Sequence, residues 1–198
     1  MIAIEYARLQ AIGLSQSLIN HVYALPEAAL PDVHLARVIE IQRDQLTVHD
    51  GLTEHHARIL PWLAADLQRA GTPLAVGDWA LAQTNALTEI WIAARVPPLS
   101  QLARRASDGS RQPLVSNVDT ALLVMGLDHD YNPRRLERYL ALTHAAGVQA
   151  VVVLSKADIG QQVPERIAEL RARLPASVPL VALNGLSGQA RLSWRRAG

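Results

Sequence analysis

Eight residues, Val151-Val152-Val153-Leu154-Ser155-Lys156-Ala157-Asp158, constrain the fold more than any other stretch of the chain. Three valines and a leucine in a row are too short for a helix and lack the alternation of a strand with one wet face. They predict a strand buried on both faces, as in parallel sheets covered by helices. The polar quartet Ser155–Asp158 then falls at the carboxyl end of that strand, which is where open α/β sheets hold their ligands. Lys156 is also the only lysine; every other member of the 19 basic residues is arginine.

The flanking sequence supplies the rest of an α/β unit. Thr120–Met125 predicts a buried strand and Asp128-His129-Asp130-Tyr131 a turn. Asn132 is suited to cap a helix and Pro133 to occupy its first position. Leu136, Tyr139, Leu140 and Thr143 share one face, and Gly147 ends the helix. With the 151–154 strand this makes one βαβ unit, with a right-handed crossover. A helix over Pro164–Leu174 and a third strand at Pro179–Leu183 follow. Residues 118–198 therefore predict a thin, incomplete Rossmann-like domain.

The preceding part reads differently. Residues 1–34 predict a helical arm, with Leu14, Leu18, Ile19, Val22 and Leu25 at helical spacing, Ser15 or Ser17 as cap, and Pro26 and Pro31 closing it. From Leu35 the period becomes two, Asp50-Gly51 signals a hairpin, and His55–Leu60 gives a third run. A helical or looped stretch covers 62–70, and strands are expected at Val76–Leu81 and Glu89–Arg95. Five short strands in so little chain favour a closed barrel, because closure removes exposed edges. An oligonucleotide-binding (OB) barrel over 35–96 is the economical choice; an SH3-like barrel is the alternative.

Residues 97–117 begin with Pro97-Pro98, continue through ARRASDGSRQP, and predict a mobile basic linker. Arg95, Arg104, Arg105 and Arg111 suit phosphate backbones through their forked donors and counterion release. A solvated interdomain loop is the plain alternative. A net charge of +1 makes any nucleic-acid role depend on such a local patch.

Several chemistries are excluded by missing residues. The chain has no cysteine, hence no disulfide or cysteine-based zinc site, which suits a reducing cytoplasm. No apolar run spans a bilayer, and the N-terminus lacks the layout of a signal peptide. With a single lysine and no Gly-Lys pair, the phosphate loop G-x-x-x-x-G-K-[ST] is absent. Asp128-x-Asp130-x-Asn132 imitates a calcium loop, but Pro133 and Tyr139 stand where Gly and Glu are required. His55 and His56 point to opposite faces of a strand, and neither H-E-x-x-H nor G-x-S-x-G occurs. No metal site is expected. Arg134 and Arg135, in a first helical turn, need a partner such as Glu137, Asp130 or a phosphate.

Of the positive signals, the quartet has the most definite chemistry. The Asp158 carboxylate can accept from both the N1 and N2 donors of a guanine edge, a pair that adenine does not offer. Lys156 can lay its stem along the base and keep its ammonium near the ribose. The plain alternative is an exposed Lys/Asp pair in a loop. Asn184-Gly185-Leu186-Ser187-Gly188 is either a second base-contacting loop or a turn.

The run QPLVSNVDTALLVMGLDHDYNPRRLERYLAL, the later VVVLSKAD and the VGDW at 76–79 resemble the small-ribosomal-subunit-dependent, circularly permuted GTPases of ribosome biogenesis. The similarity runs from the first helix to about residue 188. It implies an OB barrel followed by a GTPase domain in which base recognition precedes the P-loop and switches, and a zinc domain after these. It also implies GTP hydrolysis stimulated by the small ribosomal subunit, with that subunit and its rRNA as partners, no DNA or membrane partner, and a cytoplasmic location. Carried onto this chain, Lys156 and Asp158 match N-K-x-D with Ser155 in place of its asparagine, while Asn184 and Gly185 match the second base-contacting loop weakly. The magnesium and zinc ligands of the whole family are not among these residues. The expectation is a chain truncated before the P-loop that binds GTP or GDP weakly or not at all and does not hydrolyse it. Two further readings compete: an RNA- or ribosome-binding OB module without enzymatic activity, and an inert remnant with a sticky sheet edge.

Overall fold

The structure is a computed structural model that describes residues 2–42, 45–107, 109–184 and 190–191. The chain divides into two compact units, Met1–Val118 and Asp119–Gly198.

The first unit opens with α1 (Tyr6–Gln10) and α2 (Gln16–Tyr23), then a 3₁₀ turn at Pro26–Ala29. Ser15 is the cap of α2, its hydroxyl accepting from the Leu18 N–H. The apolar face expected of the arm is buried: Leu14, Leu18, Ile19 and Val22 pack with Leu35, Trp79, Leu81 and Val96. Strands β1 (Val33–Gln42), β2 (Gln45–His49), β3 (Glu54–Ile59), β4 (Trp79–Thr84) and β5 (Ile90–Arg95) close into a barrel in the order β1-β2-β3-β5-β4. Helix α3 (Pro61–Arg69) lies between β3 and β4 in sequence. This order, with a parallel β3–β5 contact, is that of an OB barrel. Alternation along the strands fills the interior with Val38, Leu46, Val48, Ala57, Ala80, Ala82 and Ile92.

The β2–β3 hairpin turns where Asp50-Gly51 predicted it. Asp50 Oδ1 accepts from the N–H groups of Leu52 and Thr53 at 2.8 and 2.9 Å, and Gly51 takes φ +93°. Burial would push the Asp50 carboxyl up, but the Thr53 and Leu52 N–H groups, His55 and Arg8 bring it down to about 2. A folded value below the unfolded one, near ~3.9, gives stability that is complete above roughly pH 4 and lost as pH falls towards 2. Asp50→Asn keeps the acceptor oxygen but has no charge to lose. Its urea midpoint should lie below that of the wild type at pH 6, and the two should converge near pH 2.

Two expectations are corrected here. Residues 97–117 are not a mobile linker: β6 (Gln101–Arg105) and β7 (Arg111–Ser116) form an antiparallel hairpin with a bulge at Leu102/Ala103. Ser116 donates its N–H to the Val76 carbonyl at 2.8 Å, and Asn117 donates its side-chain amide to the Gly77 carbonyl at 3.0 Å, tying the hairpin to the turn before β4. The strand expected from Val76 begins only at Trp79. Gly77 sits at φ +88° beside the Ser116 carbonyl, where a Cβ would overlap that oxygen. Gly77 N–H donates to Val38 O, and Val38 N–H to Asp78 O, both at 2.8 Å.

The second unit is a four-stranded sheet in the order β11-β10-β9-β8. Strands β8 (Thr120–Gly126), β9 (Gln149–Ser155) and β10 (Leu180–Leu183) are parallel; β11 (Ala190–Arg191) runs antiparallel to β10 and carries no strand signal in the sequence. Helices α4 (Pro133–Ala145) and α5 (Val163–Arg173) form the crossovers. Asn132 caps α4, accepting from Arg135 N–H at 3.0 Å. The core holds Met125, Leu127, Leu136, Val152, Leu154, Leu170 and Leu180. At the β8 end of the sheet, Leu122 and Val124 are 64% and 63% exposed, an apolar pair unusual for a sheet face.

Candidate ligand site at the carboxyl ends of the sheet

Parallel pairing of β8 with β9 in unbroken register, Thr120 with Gln149 through Gly126 with Ser155, brings the loops after both strands to one edge. Leu127 N–H continues the ladder, donating to Ser155 O at 3.0 Å. Beyond it, Lys156 adopts φ +58°, a left-handed conformation that costs a residue with a Cβ and persists only where its surroundings hold it. The backbone is held on either side by Gly160 N–H donating to Lys156 O and Ala157 N–H to Leu183 O. The side chain forms an ion pair: Lys156 Nζ donates to Asp128 Oδ2 at 2.6 Å, across 28 residues of sequence. That hydrogen bond keeps the Asp128 carboxyl below its usual range and raises the Lys156 ammonium above its own. Both groups are therefore charged throughout the neutral range.

Asp128 is itself fixed from α5. Arg166 donates to the carbonyls of Leu127 and Asp128, and its guanidinium lies 4.7 Å from the centre of the Tyr131 ring. Burial, then the nearby Glu169 carboxylate, pushes the Tyr131 hydroxyl up to about 12, so it remains protonated and lies 2.9 Å from Glu169 Oε2. Arg135 finds one of its expected partners, Asp130 at 2.8 Å. Gly126 and Gly160 leave room: a Cβ on the first would meet Asp128 Oδ1, and on the second Leu127 O.

Ser155 is half-buried, its hydroxyl 3.5 Å from Met125 O. Asp158 is exposed in the loop, and Gly160 N–H donates back to Lys156 O at 3.1 Å. Ala157 N–H donates to Leu183 O at 3.3 Å, which sets the quartet beside the end of β10 and next to Asn184. Gly185 lies outside the described residues. Asp128 was missed as a site residue because in sequence it is only part of a turn. The available signal was its place at the end of the neighbouring parallel strand.

The four arginines do not form one group. Arg104, Arg105 and Arg111 are exposed on the β6–β7 hairpin, with Arg105 opposite Arg111 and Arg104 Nε donating to Gln112 at 2.9 Å. Arg95 is withdrawn from the nucleic-acid candidates. Its side chain is 9% exposed and grips the fully buried Asp78 with two hydrogen bonds, at 2.9 and 3.0 Å, while Nη1 reaches Thr72 O. Among the described residues no three His, Cys, Asp or Glu gather to hold a metal. The chain has no cysteine, so a cysteine-based zinc site does not fit it. No helix among them is long and apolar enough to cross a membrane.

Residues 96–191 match the model of a family described as RsgA GTPase. At family level, the chain matches the RsgA GTPases. The chain is 34% identical over 192 residues to the small ribosomal subunit biogenesis GTPase RsgA of Xanthomonas oryzae pv. oryzae (strain PXO99A), covering 91% of this chain and 50% of that one. It is 33% identical over 123 residues to the protein of the same name from Leptospira interrogans serogroup Icterohaemorrhagiae serovar Lai (strain 56601), covering 61% of this chain and 34% of that one. Among solved structures it resembles YjeQ from Thermotoga maritima, with a TM-score of 0.60 at 17% identity, over 79% of this chain and 54% of that one. It also resembles YloQ, a circularly permuted GTPase, with a TM-score of 0.55 at 16% identity, over 78% and 52%. These likenesses establish the fold, a closed five-stranded OB-like barrel followed by a circularly permuted GTPase-like α/β unit. The chain spans about half the length of the RsgA relative from Xanthomonas.

Proposed function

We propose that the chain is a member of the RsgA GTPases and carries the guanine-selecting part of the nucleotide site together with the ribosome-contacting barrel. The observation that carries this reading is the strand-end arrangement of Lys156, Asp128 and Asp158. Asp128 anchors the Lys156 ammonium at 2.6 Å, which leaves the aliphatic stem to lie against a planar base. Asp158, exposed two residues on, has the two acceptors that a guanine edge requires. Ser155 and Asn184 flank the same edge. When bound, GTP would supply the phosphoanhydride. The 198 residues contain no Gly-Lys pair, so the phosphate-loop lysine that cradles the phosphates in phosphoryl transfer has no counterpart in them.

The expected result is base recognition without turnover. Amide resonances of Lys156–Ile159 should shift on titration with GDP and not with ADP, and Asp158→Asn should remove the difference. Equal shifts with both purines, or none with either, would remove the guanine reading. Purified chain with GTP and magnesium should release no phosphate, with or without small ribosomal subunits, and measurable turnover would refute it.

A second reading, an RNA- or ribosome-binding module without activity, is favoured by the β6–β7 hairpin, which presents Arg104, Arg105 and Arg111 on a defined strand pair. In this reading the small subunit and its rRNA are the partners. Arg104→Ala with Arg105→Ala should weaken sedimentation with small subunits and flatten its salt dependence, because each lost phosphate contact lowers the slope by about one.

A further inference from the structure

The barrel carries a cavity that the guanine site does not use. It measures about 570 Å³, inside the roughly 300–1,000 Å³ usual for ligand pockets. Its floor is apolar, formed by Ile41, Leu46 and Leu74 among others; Gln45, Arg58 and Trp91 bring polar and aromatic groups to it. The β3–β5 register places Arg58 directly beside Trp91, and the guanidinium lies 5.9 Å from the indole centre. Glu89 ties the two together, accepting from Trp91 Nε1 at 3.3 Å and standing 3.8 Å from Arg58.

We infer that this cavity receives one unstacked nucleobase of single-stranded RNA, stacked against the Trp91–Arg58 pair and bonded at its edge by the Gln45 amide. This rests on the ribosome-contact reading above and names the chemistry of the contact. A flat indole backed by a flat cation suits a π-face of any base, and a side-chain amide can donate and accept along its edge. An aliphatic side chain from a protein would use the floor and leave Gln45 and Arg58 without a role. Charge does not supply the affinity: residues 1–118 hold nine arginines against eleven acidic residues. Base binding here should therefore depend on salt less than binding through the hairpin arginines.

The test uses the intact 198-residue chain and labelled uridine hexamer, followed by fluorescence anisotropy. The wild type should bind the hexamer roughly tenfold more tightly than an abasic hexamer of the same length, the scale of one stacked base. Trp91→Leu, which keeps apolar volume but loses the flat face, should lose that factor, and Trp91→Phe should retain most of it. Arg58→Lys, which keeps the charge but not the plane, should weaken binding severalfold. Unchanged melting temperatures would show that the variants are folded. Equal binding of base-bearing and abasic hexamers, no hexamer binding at all, or an unaffected Trp91→Leu would overturn the proposal. So would displacement of the hexamer by N-acetyl-leucinamide but not by uridine monophosphate. Small-subunit sedimentation separates the two ideas. Loss of subunit binding with base-dependent hexamer binding intact would sink the ribosome reading and leave the pocket. Subunit binding with no base dependence would do the reverse.

Discussion

Replacing Asp78 with alanine is expected to destabilise the first unit by about 3–5 kcal/mol, enough to unfold much of the population in a domain of ordinary stability. Asp78 is fully buried and accepts two hydrogen bonds from Arg95 and one from the Ala75 N–H at 2.8 Å. Removing the carboxylate leaves a guanidinium with 9% exposure and no counter-charge, together with an orphaned N–H. The converse change, Arg95→Met, strands the carboxylate and should cost a similar amount. Combining Asp78→Ala with Arg95→Met removes both charges and should recover a large part of the loss. Recovery stays incomplete because Ala75 N–H still lacks its acceptor. Urea denaturation of the two single variants and the double variant measures the coupling; strictly additive losses would show that the pair is not a unit.

Gly77→Ala is the second large effect, at about 3 kcal/mol or more. Its φ of +88° is unfavourable for alanine, and the new Cβ would be driven into the Ser116 carbonyl, a backbone atom that cannot rotate away. Ser116 cannot retreat cheaply, because its own N–H is bonded to Val76 O and the next residue, Asn117, is bonded to Gly77 O. The expected outcome is a lower midpoint together with faster amide exchange along β7, since the hairpin loses its seat. An unchanged midpoint would mean that the turn can open without cost.

These two residues show where the sequence was legible and where it was not. The VGDW segment is distinctive as a string, but its apolar–polar alternation reads as the start of a strand. Its real role is a turn stitched to β1 and to β7, which depends on partners far away in the chain. Arg95 was misread for a related reason: counting charge along the sequence cannot distinguish an exposed arginine from one buried on a carboxylate 17 residues earlier. The β6–β7 hairpin was hidden by Pro113, Gly109 and an arginine-rich surface, features that equally suit a loop. By contrast, the barrel strands, the Asp50-Gly51 turn, the Asn132-Pro133 helix start and the strand ending at Ser155 were legible, because each depends on local period or turn chemistry. The Lys156–Asp128 pair falls between. The strand end that holds it was predictable, but the partner is set by the register of β8 on β9.

The closure of the barrel has a consequence for synthesis. Strand β1 pairs with β4, and β3 with β5, so residues near 35 and 57 wait for partners near 81 and 90. Because Ala80 lies opposite Arg95, and Arg95 neutralises Asp78, the barrel cannot shut until Arg95 has left the ribosome exit tunnel. The β1–β2–β3 meander, with both its connections local, can assemble earlier as the chain emerges. A nascent chain stalled with Arg95 still inside the tunnel should thus expose the apolar side of that meander, and one stalled far enough on for Arg95 to be clear of the tunnel should hide it.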